Sequence, residues 1–132
     1  MQILQPPGWT RPRGYSNGIL ARGQVVFVAG QIGWDAQGRF QTTELAGQVR
    51  QALENIVAVL AQAGARPEHI TRLTWYVTDK REYIAAYPAI GAIYRQVIGP
   101  HYPAMTAIEV AALLEDQARV EIEATAVIPD TM

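Results

Sequence analysis

Residues 45–63 read LAGQVRQALENIVAVLAQA, and this stretch decides the fold. Apolar side chains recur in steps of three and four residues, which is the spacing of one face of an α-helix; they are Leu45, Val49, Ala52, Leu53, Ile56, Val57, Leu60 and Ala63. Thr42 or Thr43 can cap the first turn by accepting from its free N–H groups, and Gly64 followed by Pro67 ends the helix. The stretch therefore predicts a long amphipathic helix with one face in the core.

Upstream of this helix, two segments have the composition of β-strands. Apolar β-formers in residues 15–21 and 24–32 flank the turn-prone pair Arg22-Gly23. We expect a hairpin whose buried centre is Val25, Val26, Phe27 and Val28.

Downstream, three more strands and a second helix are expected. Apolar and polar residues alternate between Ile70 and Thr78, as in a strand with one face on a core. The second helix should begin near Pro88, because proline is tolerated in a first turn, and should end at Gly99-Pro100, with a separate turn before it. Two final strands are predicted at about 104–110 and 119–128.

The predicted order is β-β-α-β-α-β-β in a single domain of residues 1–132. Two helices are too few to cover both faces of such a sheet. We therefore expect an α+β fold with both helices on one face of a mixed sheet. The other face would be solvated or covered by a neighbouring subunit.

Composition argues against several classes of function. The chain has 11 Lys and Arg against 12 Asp and Glu, a net charge of −1, which disfavours a nucleic-acid partner. The absence of cysteine removes disulfides and thiolate sites, and His69 and His101 lack the spacing of metal ligands. No apolar run is long enough for a membrane span or a signal peptide. We expect a cytoplasmic protein with no membrane partner, no metal and no cofactor.

Three stretches share their order and spacing with one known family. The first is Arg13-Gly14-Tyr15-Ser16, the second is Val26-Phe27-Val28-Ala29-Gly30-Gln31-Ile32, and the third is Pro103-Ala104-Met105-Thr106 followed by Val120-Glu121-Ile122-Glu123-Ala124. Together they resemble the Rid family, also called the YjgF family. The resemblance implies a chorismate-mutase-like fold and a homotrimer with a small-molecule cleft at each subunit interface. It also implies hydrolysis of reactive enamines and imines to ketoacids and ammonia, without a cofactor.

The resemblance assigns roles to individual residues. Tyr15 corresponds to a tyrosine of the cleft, Gly30 and Gln31 to the segment whose backbone faces the ligand, and Glu121 to a glutamate that holds a water. Hydrolysis of a C=N bond requires a positioned water, a proton for the departing amine and a fixed substrate. We therefore expect Glu121 and Tyr15 to be catalytic, and Gly30 and Gln31 to bind substrate.

Position 105 departs from the family's pattern. The family has an arginine there, within Pro-Ala-Arg-Ser, whose planar fork holds the substrate carboxylate through two charge-assisted hydrogen bonds. This chain has Met105 instead. Losing one partner of a desolvated charge pair typically costs about 2–5 kcal/mol, so a small imino acid such as 2-iminopropionate should bind poorly. The chain is expected to represent an arginine-lacking subgroup.

Four further residues are candidates for the ligand site. Thr106 and Trp34, just after the second stretch, are expected to bind substrate, as is Met105 itself, which can line an apolar pocket. Trp34 would favour flat or apolar ligands. Arg13 and Arg22 are candidates for a replacement cation.

Each candidate also has a purely structural interpretation. Tyr15 and Trp34 can be packing aromatics, Glu121 a solvated strand residue, and Met105 a filler of an interface. Two functions stay open. The first is a trimeric hydrolase of enamines or imines, such as aminomuconate-like compounds, that are not anchored by the usual carboxylate. The second is a non-catalytic trimer that binds a small molecule in its clefts.

Overall fold

The structure, a computed structural model, describes residues 1–130. The strands are β1 (Gln2–Leu4), β2 (Gly18–Leu20), β3 (Gly23–Ile32), β4 (Ile70–Val77), β5 (Ala104–Glu109) and β6 (Val120–Pro129), and the helices are α1 (Leu45–Gln62), α2 (Lys80–Ala85) and α3 (Tyr87–Val97). The last two residues of the predicted domain, 131 and 132, lie outside the described part.

The main sheet contains four strands in the spatial order β3-β6-β4-β5. β5 runs parallel to β4, because α2 and α3 carry the chain back across the sheet between these two strands. β6 is antiparallel to both of its neighbours, β3 and β4. The sheet is therefore mixed, as predicted.

One face of this sheet forms the hydrophobic core with the two long helices. α1 contacts α3, β3 and β6, and residues of all these elements belong to one buried cluster. Alternate residues of β4 and β6 point into this cluster, namely Leu73, Trp75, Val77, Val120, Ile122, Ala124 and Ala126. The predicted α+β fold and the predicted alternation along β4 are confirmed, and β6 alternates in the same way.

The opposite face of the sheet is not covered by any element of residues 1–130. On β3, Phe27 is 79% exposed and Val25 is 52% exposed, whereas Val28 is buried. The prediction that all four residues 25–28 form a buried centre is therefore wrong. Successive side chains of a strand point to opposite faces, so four consecutive apolar residues cannot share one core.

The predicted hairpin is also wrong. β2 does not pair with β3; it pairs antiparallel with β1, so that Gln2 lies opposite Leu20. β3 instead pairs with β6, the last strand of the chain. The turn signal at Arg22-Gly23 is real, since Gly23 has a φ of +146°, but it only redirects the chain between two sheets.

The start of α1 is held by a residue that the sequence analysis left out. Thr42 does not cap α1. Its hydroxyl accepts from the N–H of Glu44, the residue just before the helix. Gln48 is fully buried; its amide donates to the carbonyls of Thr42 and Gln117 at 3.2 and 2.9 Å and accepts from the Arg119 N–H at 2.8 Å. Gln48 thereby ties α1 to the segment that leads into β6.

The ends of the helices agree with the predictions. α1 ends at Gln62, followed by Gly64 with a φ of +72°. α3 begins one residue before Pro88, and the turn expected before it is the short helix α2. Within residues 1–130, no helix combines the length and the apolar character that crossing a membrane would require.

Candidate functional site

The backbone around Tyr15 is fixed by its neighbours. Gly14 has a φ of +76°, a conformation that glycine adopts without strain. Ser16 is buried; its N–H donates to the Pro103 carbonyl at 3.0 Å and its hydroxyl donates to the Tyr102 carbonyl at 2.6 Å. This pins the segment against the start of β5 and leaves Tyr15 41% exposed beside it.

Tyr15 and Met105 line one cavity of about 890 Å³. It lies on the helix side of the sheet, because Met105 pairs in register with Leu73 and packs against the core. Six of its fifteen lining residues are aromatic and none is acidic: it is lined by Arg13, Gly14, Tyr15, Trp75, Tyr83, Tyr87, Pro88, Ile90, Gly91, Ala92, Tyr94, Arg95, Tyr102, Met105 and Ala107. We call this cavity the aromatic pocket.

The rings of the aromatic pocket pack around Trp75. Its ring centroid lies 6.2 Å from that of Tyr83 and 6.4 Å from that of Tyr94, and Tyr94 stacks on Tyr102 at 5.5 Å. Burial raises the pKa of Tyr83 to about 12 and raises that of Tyr94 still further. Both phenols therefore stay protonated at neutral pH and cannot act as general bases there.

A second group of candidates lies on the open face of the sheet. The pairing of β3 with β6 shifts by a bulge between Val28 and Gln31, which places Gly30 against the side chain of Glu121. A Cβ at position 30 would lie 2.1 Å from Oε2 of Glu121. Only glycine leaves room for this carboxylate in its present position. The Gln31 amide donates locally, to the Ala29 carbonyl at 3.1 Å.

The residues next to Glu121 are polar. Tyr76 lies opposite it on β4 and donates its hydroxyl to Oε1 of Glu123 at 2.7 Å. This hydrogen bond, together with burial and the two carboxylates, raises the pKa of Tyr76. The Glu123 carboxylate thus already has a hydrogen-bond partner, whereas within residues 1–130 the Glu121 side chain has none.

The two groups of candidates are separate within one chain. Glu121 is in register with Tyr76, and Tyr76 with Ile108 on β5, all on the open face. Met105 pairs with Leu73 on the helix face. Glu121 and Met105 therefore lie on opposite faces and two strand spacings apart, roughly 10 Å. The sheet of a single chain does not bring Tyr15 and Glu121 to one site.

Two other candidates also lie apart from Tyr15. Thr106 is exposed and, being in register with Thr74, belongs to the open face. Trp34 packs on Phe40, with ring centroids 6.0 Å apart, and lines a smaller cavity of about 530 Å³ with Arg39 and Leu114. Within one chain, Trp34 is not part of the aromatic pocket.

The structure distinguishes the candidate cations. Arg22 pairs with Asp130 at 3.3 Å and does not line the aromatic pocket, whereas Arg13 does. Arg95 on α3 also lines it and was missed, because an arginine on the exposed side of a helix is usually only solvated. Neither Arg13 nor Arg95 takes part in an ion pair among residues 1–130.

The histidines have structural contacts. His101 Nε2 lies 2.7 Å from the Ile70 carbonyl, and His69 Nδ1 accepts from the Arg66 N–H at 3.0 Å. In the part of the chain that the structure describes, no three residues of the His, Asp and Glu types are grouped as metal ligands.

Comparison with known proteins decides the family. The family model described as Endoribonuclease L-PSP matches residues 10–128. A crystal structure of a Rid family protein of unknown function from Yersinia pestis superposes with a TM-score of 0.85, at 32% identity over 96% of this chain and 98% of that one. The chain belongs to the Rid family.

Curated Rid relatives cover nearly the same length. A human 2-iminobutanoate/2-iminopropanoate deaminase is 32% identical over 128 residues, which are 96% of this chain and 88% of that protein. A RutC family protein of Pyrococcus horikoshii is 35% identical over 113 residues, 85% of each chain. The Rid resemblance and the Rid fold class are thus confirmed, and deaminases are among the relatives.

Proposed function

We propose that this Rid protein is a hydrolase of reactive enamines or imines, a deaminase whose substrate is not anchored at position 105. The observation that carries the proposal is Glu121. Its carboxylate lies in a space that only a glycine at position 30 leaves, and it is not engaged by Tyr76, which bonds to Glu123 instead. The deaminase names of curated relatives support the same reaction class.

The complete site needs two copies of the chain. Tyr15 and the aromatic pocket lie on the helix face, and Glu121 with Gly30 lies on the open face. In a cyclic trimer each copy uses two different surfaces, so the pocket of one copy can meet the Glu121 face of the next. The exposed Phe27 and Val25 on the open face are apolar surface that such an interface would bury.

The chemistry balances without a cofactor. Water held by Glu121 attacks the carbon of the C=N bond and gives a carbinolamine, while the carboxylate takes a proton from the water. Glu121 passes this proton to the nitrogen, which completes the neutral carbinolamine. The carboxylate then takes the hydroxyl proton and delivers it to the nitrogen as the C–N bond breaks, so that ammonia leaves a carbonyl product. Tyr15 hydrogen-bonds the substrate and holds it in line with the water.

Met105 determines which substrates are disfavoured. A thioether cannot supply the forked donors that bind a carboxylate at this position, so 2-iminopropionate should be a poor substrate. Larger conjugated compounds, such as aminomuconate-like enamines, have more surface for the aromatic pocket.

The test compares two neighbouring glutamates. Enamines and imines are generated in situ, and their loss is followed against the spontaneous rate. Glu121→Gln should lower the acceleration to a residual rate, about 100- to 10,000-fold below the unmodified protein, because an amide cannot accept the proton. Glu123→Gln is the matched control on the same strand and face; its amide oxygen can still accept from Tyr76, so activity should persist. Equal activity of both variants would contradict the mechanism.

A complementation experiment tests the shared site. Tyr15→Ala and Glu121→Gln chains should each be inactive, but after mixing and reassembly about a quarter of the interfaces would join an intact Tyr15 to an intact Glu121. Recovered activity in mixed trimers supports a site built by two copies. Mixed trimers without activity would show that the site lies elsewhere.

The alternative is a trimer that binds a small molecule without converting it. Met105 favours this alternative, since it leaves no cation at the position where the family's arginine holds substrate. In that case Glu121→Gln would leave binding of a neutral ligand unchanged, and no enamine or imine would be lost faster than spontaneously.

A further inference from the structure

The aromatic pocket has a composition that the loss of one arginine does not explain. Six aromatic side chains line it, those of Tyr15, Trp75, Tyr83, Tyr87, Tyr94 and Tyr102, together with two arginines and no acidic residue. Its volume of about 890 Å³ lies in the range of pockets that hold ring-bearing ligands. A three-carbon imino acid would leave most of this aromatic surface without contacts.

Arg95 is placed to serve this pocket. It lies one helical turn after Gly91 on the same side of α3, because residues four apart are neighbours on a helix surface. A Cβ built at Gly91 would meet nothing within 4 Å, and Ala92 is the next wall residue. Because Gly91 has no side chain and Ala92 has only a methyl group, space is left on the α3 side of the pocket, and the Arg95 guanidinium can reach into the opening.

Trp75 lines the pocket and carries a buried donor that the described residues leave unpaired. The residue is only 3% exposed, and its indole Nε1 has no hydrogen-bond partner among residues 1–130. Buried polar groups are nearly always paired, and an orphaned donor loses its solvation. This atom has almost no accessible surface, so an acceptor could reach it only if the packing around Trp75 opened.

We propose that the aromatic pocket binds a flat aromatic carboxylate, with Arg95 assisted by Arg13 as the anion anchor in place of the arginine missing at position 105. The rings stack on the ligand's aryl group, and the guanidiniums hold its carboxylate at the rim. In terms of the proposed function, on which this assignment of substrate rests, the substrate is an imino acid or its enamine tautomer with an aryl side chain.

Binding is tested first with stable ketoacids. Phenylpyruvate carries both the aryl group and the carboxylate, pyruvate carries only the carboxylate, and phenylacetone carries only the aryl ketone. The indole N–H resonance of Trp75, one of three tryptophans, reports occupancy of the pocket by NMR. Phenylpyruvate should shift it and bind at least about tenfold more tightly than either partial probe. Equal affinities for phenylpyruvate and pyruvate would overturn the proposal.

Three variants separate the contributions. Arg95→Gln should weaken phenylpyruvate about tenfold and leave phenylacetone unchanged, because only the anion loses its partner. Gly91→Leu should exclude both probes; leucine has a higher helix propensity than glycine, so the variant should fold. Arg81→Gln removes an exposed charge on α2 outside the pocket and should change neither affinity. An effect of Arg81→Gln as large as that of Arg95→Gln would indicate general electrostatics and contradict the anchor.

Turnover distinguishes the two proposals. The imine of phenylalanine, generated in situ by an amino-acid oxidase, should be hydrolysed faster than 2-iminopropionate. Tight phenylpyruvate binding without any hydrolysis would uphold the aromatic ligand and refute the hydrolase. Hydrolysis of 2-iminopropionate with no preference for the aryl imine would uphold the hydrolase and refute the aromatic ligand.

Discussion

Gly30→Ala should displace the Glu121 carboxylate while hardly changing the stability of the fold. An added Cβ would stand 2.1 Å from Oε2 of Glu121, against the 3.4 Å of ordinary contact, so the carboxylate must retreat by about 1.3 Å (3.4 − 2.1). Cδ and Cγ of Glu121 would also lie too close, at 2.7 and 2.9 Å, so this flexible, half-buried side chain must move as a whole; Gly30 does not have a positive φ. Alanine also reduces the freedom of the unfolded chain, so the free energy of unfolding should change by less than about 1 kcal/mol.

The effect on catalysis should be much larger. A misplacement of about 1 Å in a positioned group can lower a rate about 100-fold. We therefore expect kcat/KM for the best enamine or imine substrate to fall by roughly that factor, while the urea midpoint hardly moves. Gly18→Ala on β2 is the control: its Cβ would approach Leu4 at 3.2 Å in the small sheet, away from Glu121, and activity should persist.

A double-mutant cycle makes the reasoning refutable. In a Glu121→Gln background the alanine should cause no further loss, because the group that it displaces no longer works. Full activity of Gly30→Ala would show that the position of Glu121 does not matter. Equal losses in both backgrounds would assign the effect to the backbone of the bulge instead.

Three further perturbations have expected outcomes. Gln48→Leu should lower the free energy of unfolding by about 2–3 kcal/mol in urea titrations, because it leaves the partners of a fully buried amide unpaired. Gln62→Leu, at the exposed end of α1, should have little effect. Similar urea midpoints for the two variants would contradict this. Burial raises the pKa of Tyr83 from 10.0 to about 12, so the native state holds this proton more tightly than the unfolded state does. The resulting stabilisation should be fully present below pH 10, and the free energy of unfolding should fall by about 1–2 kcal/mol between pH 10 and 12. Tyr83→Phe should remove the part of this fall that Tyr83 causes. Met105→Arg should gain 2-iminopropionate hydrolysis, because the guanidinium can hold the substrate carboxylate. The variant should also lose thermal stability, because the new cation joins Arg13 and Arg95 around a pocket without carboxylates. Unchanged kinetics would mean that position 105 does not face the substrate.

The sequence was sufficient where local periodicity and burial agree. The three- and four-residue steps of α1 and the alternation of β4 and β6 are set by one buried face each, so the pattern determines which side chains point inward. Gln48 shows what a closer inspection could have found. It lies three residues after Leu45, on the apolar face, and a polar residue at such a position must find partners when it is buried.

The errors concern pairings that no local pattern contains. β2 pairs with residues 2–4 and β3 pairs with the last strand, and both choices depend on contacts between distant parts of the chain. The candidate site has the same property. Arg95, Trp75 and Tyr15 come from a helix, a strand and an N-terminal segment, and only the folded chain places them around one cavity. Trp34 illustrates the converse, since its closeness to Gly30 in sequence does not bring it to the aromatic pocket.

Met105 and Arg95 are best understood as one exchange. An arginine at position 105 would be half-buried on the helix face, with the guanidiniums of Arg13 and Arg95 on the same cavity and no acidic residue in its wall. Like charges in a partly desolvated pocket repel, so three cations there would oppose folding until an anion arrived. A methionine at 105 removes that repulsion and adds an apolar surface for a ring, and our proposal places the anion anchor at the rim, at Arg95. On that proposal, the change at one strand position alters the preferred ligand from a small carboxylate to one with an aromatic body, while Glu121, on the other face of the sheet, is the residue proposed to act on either.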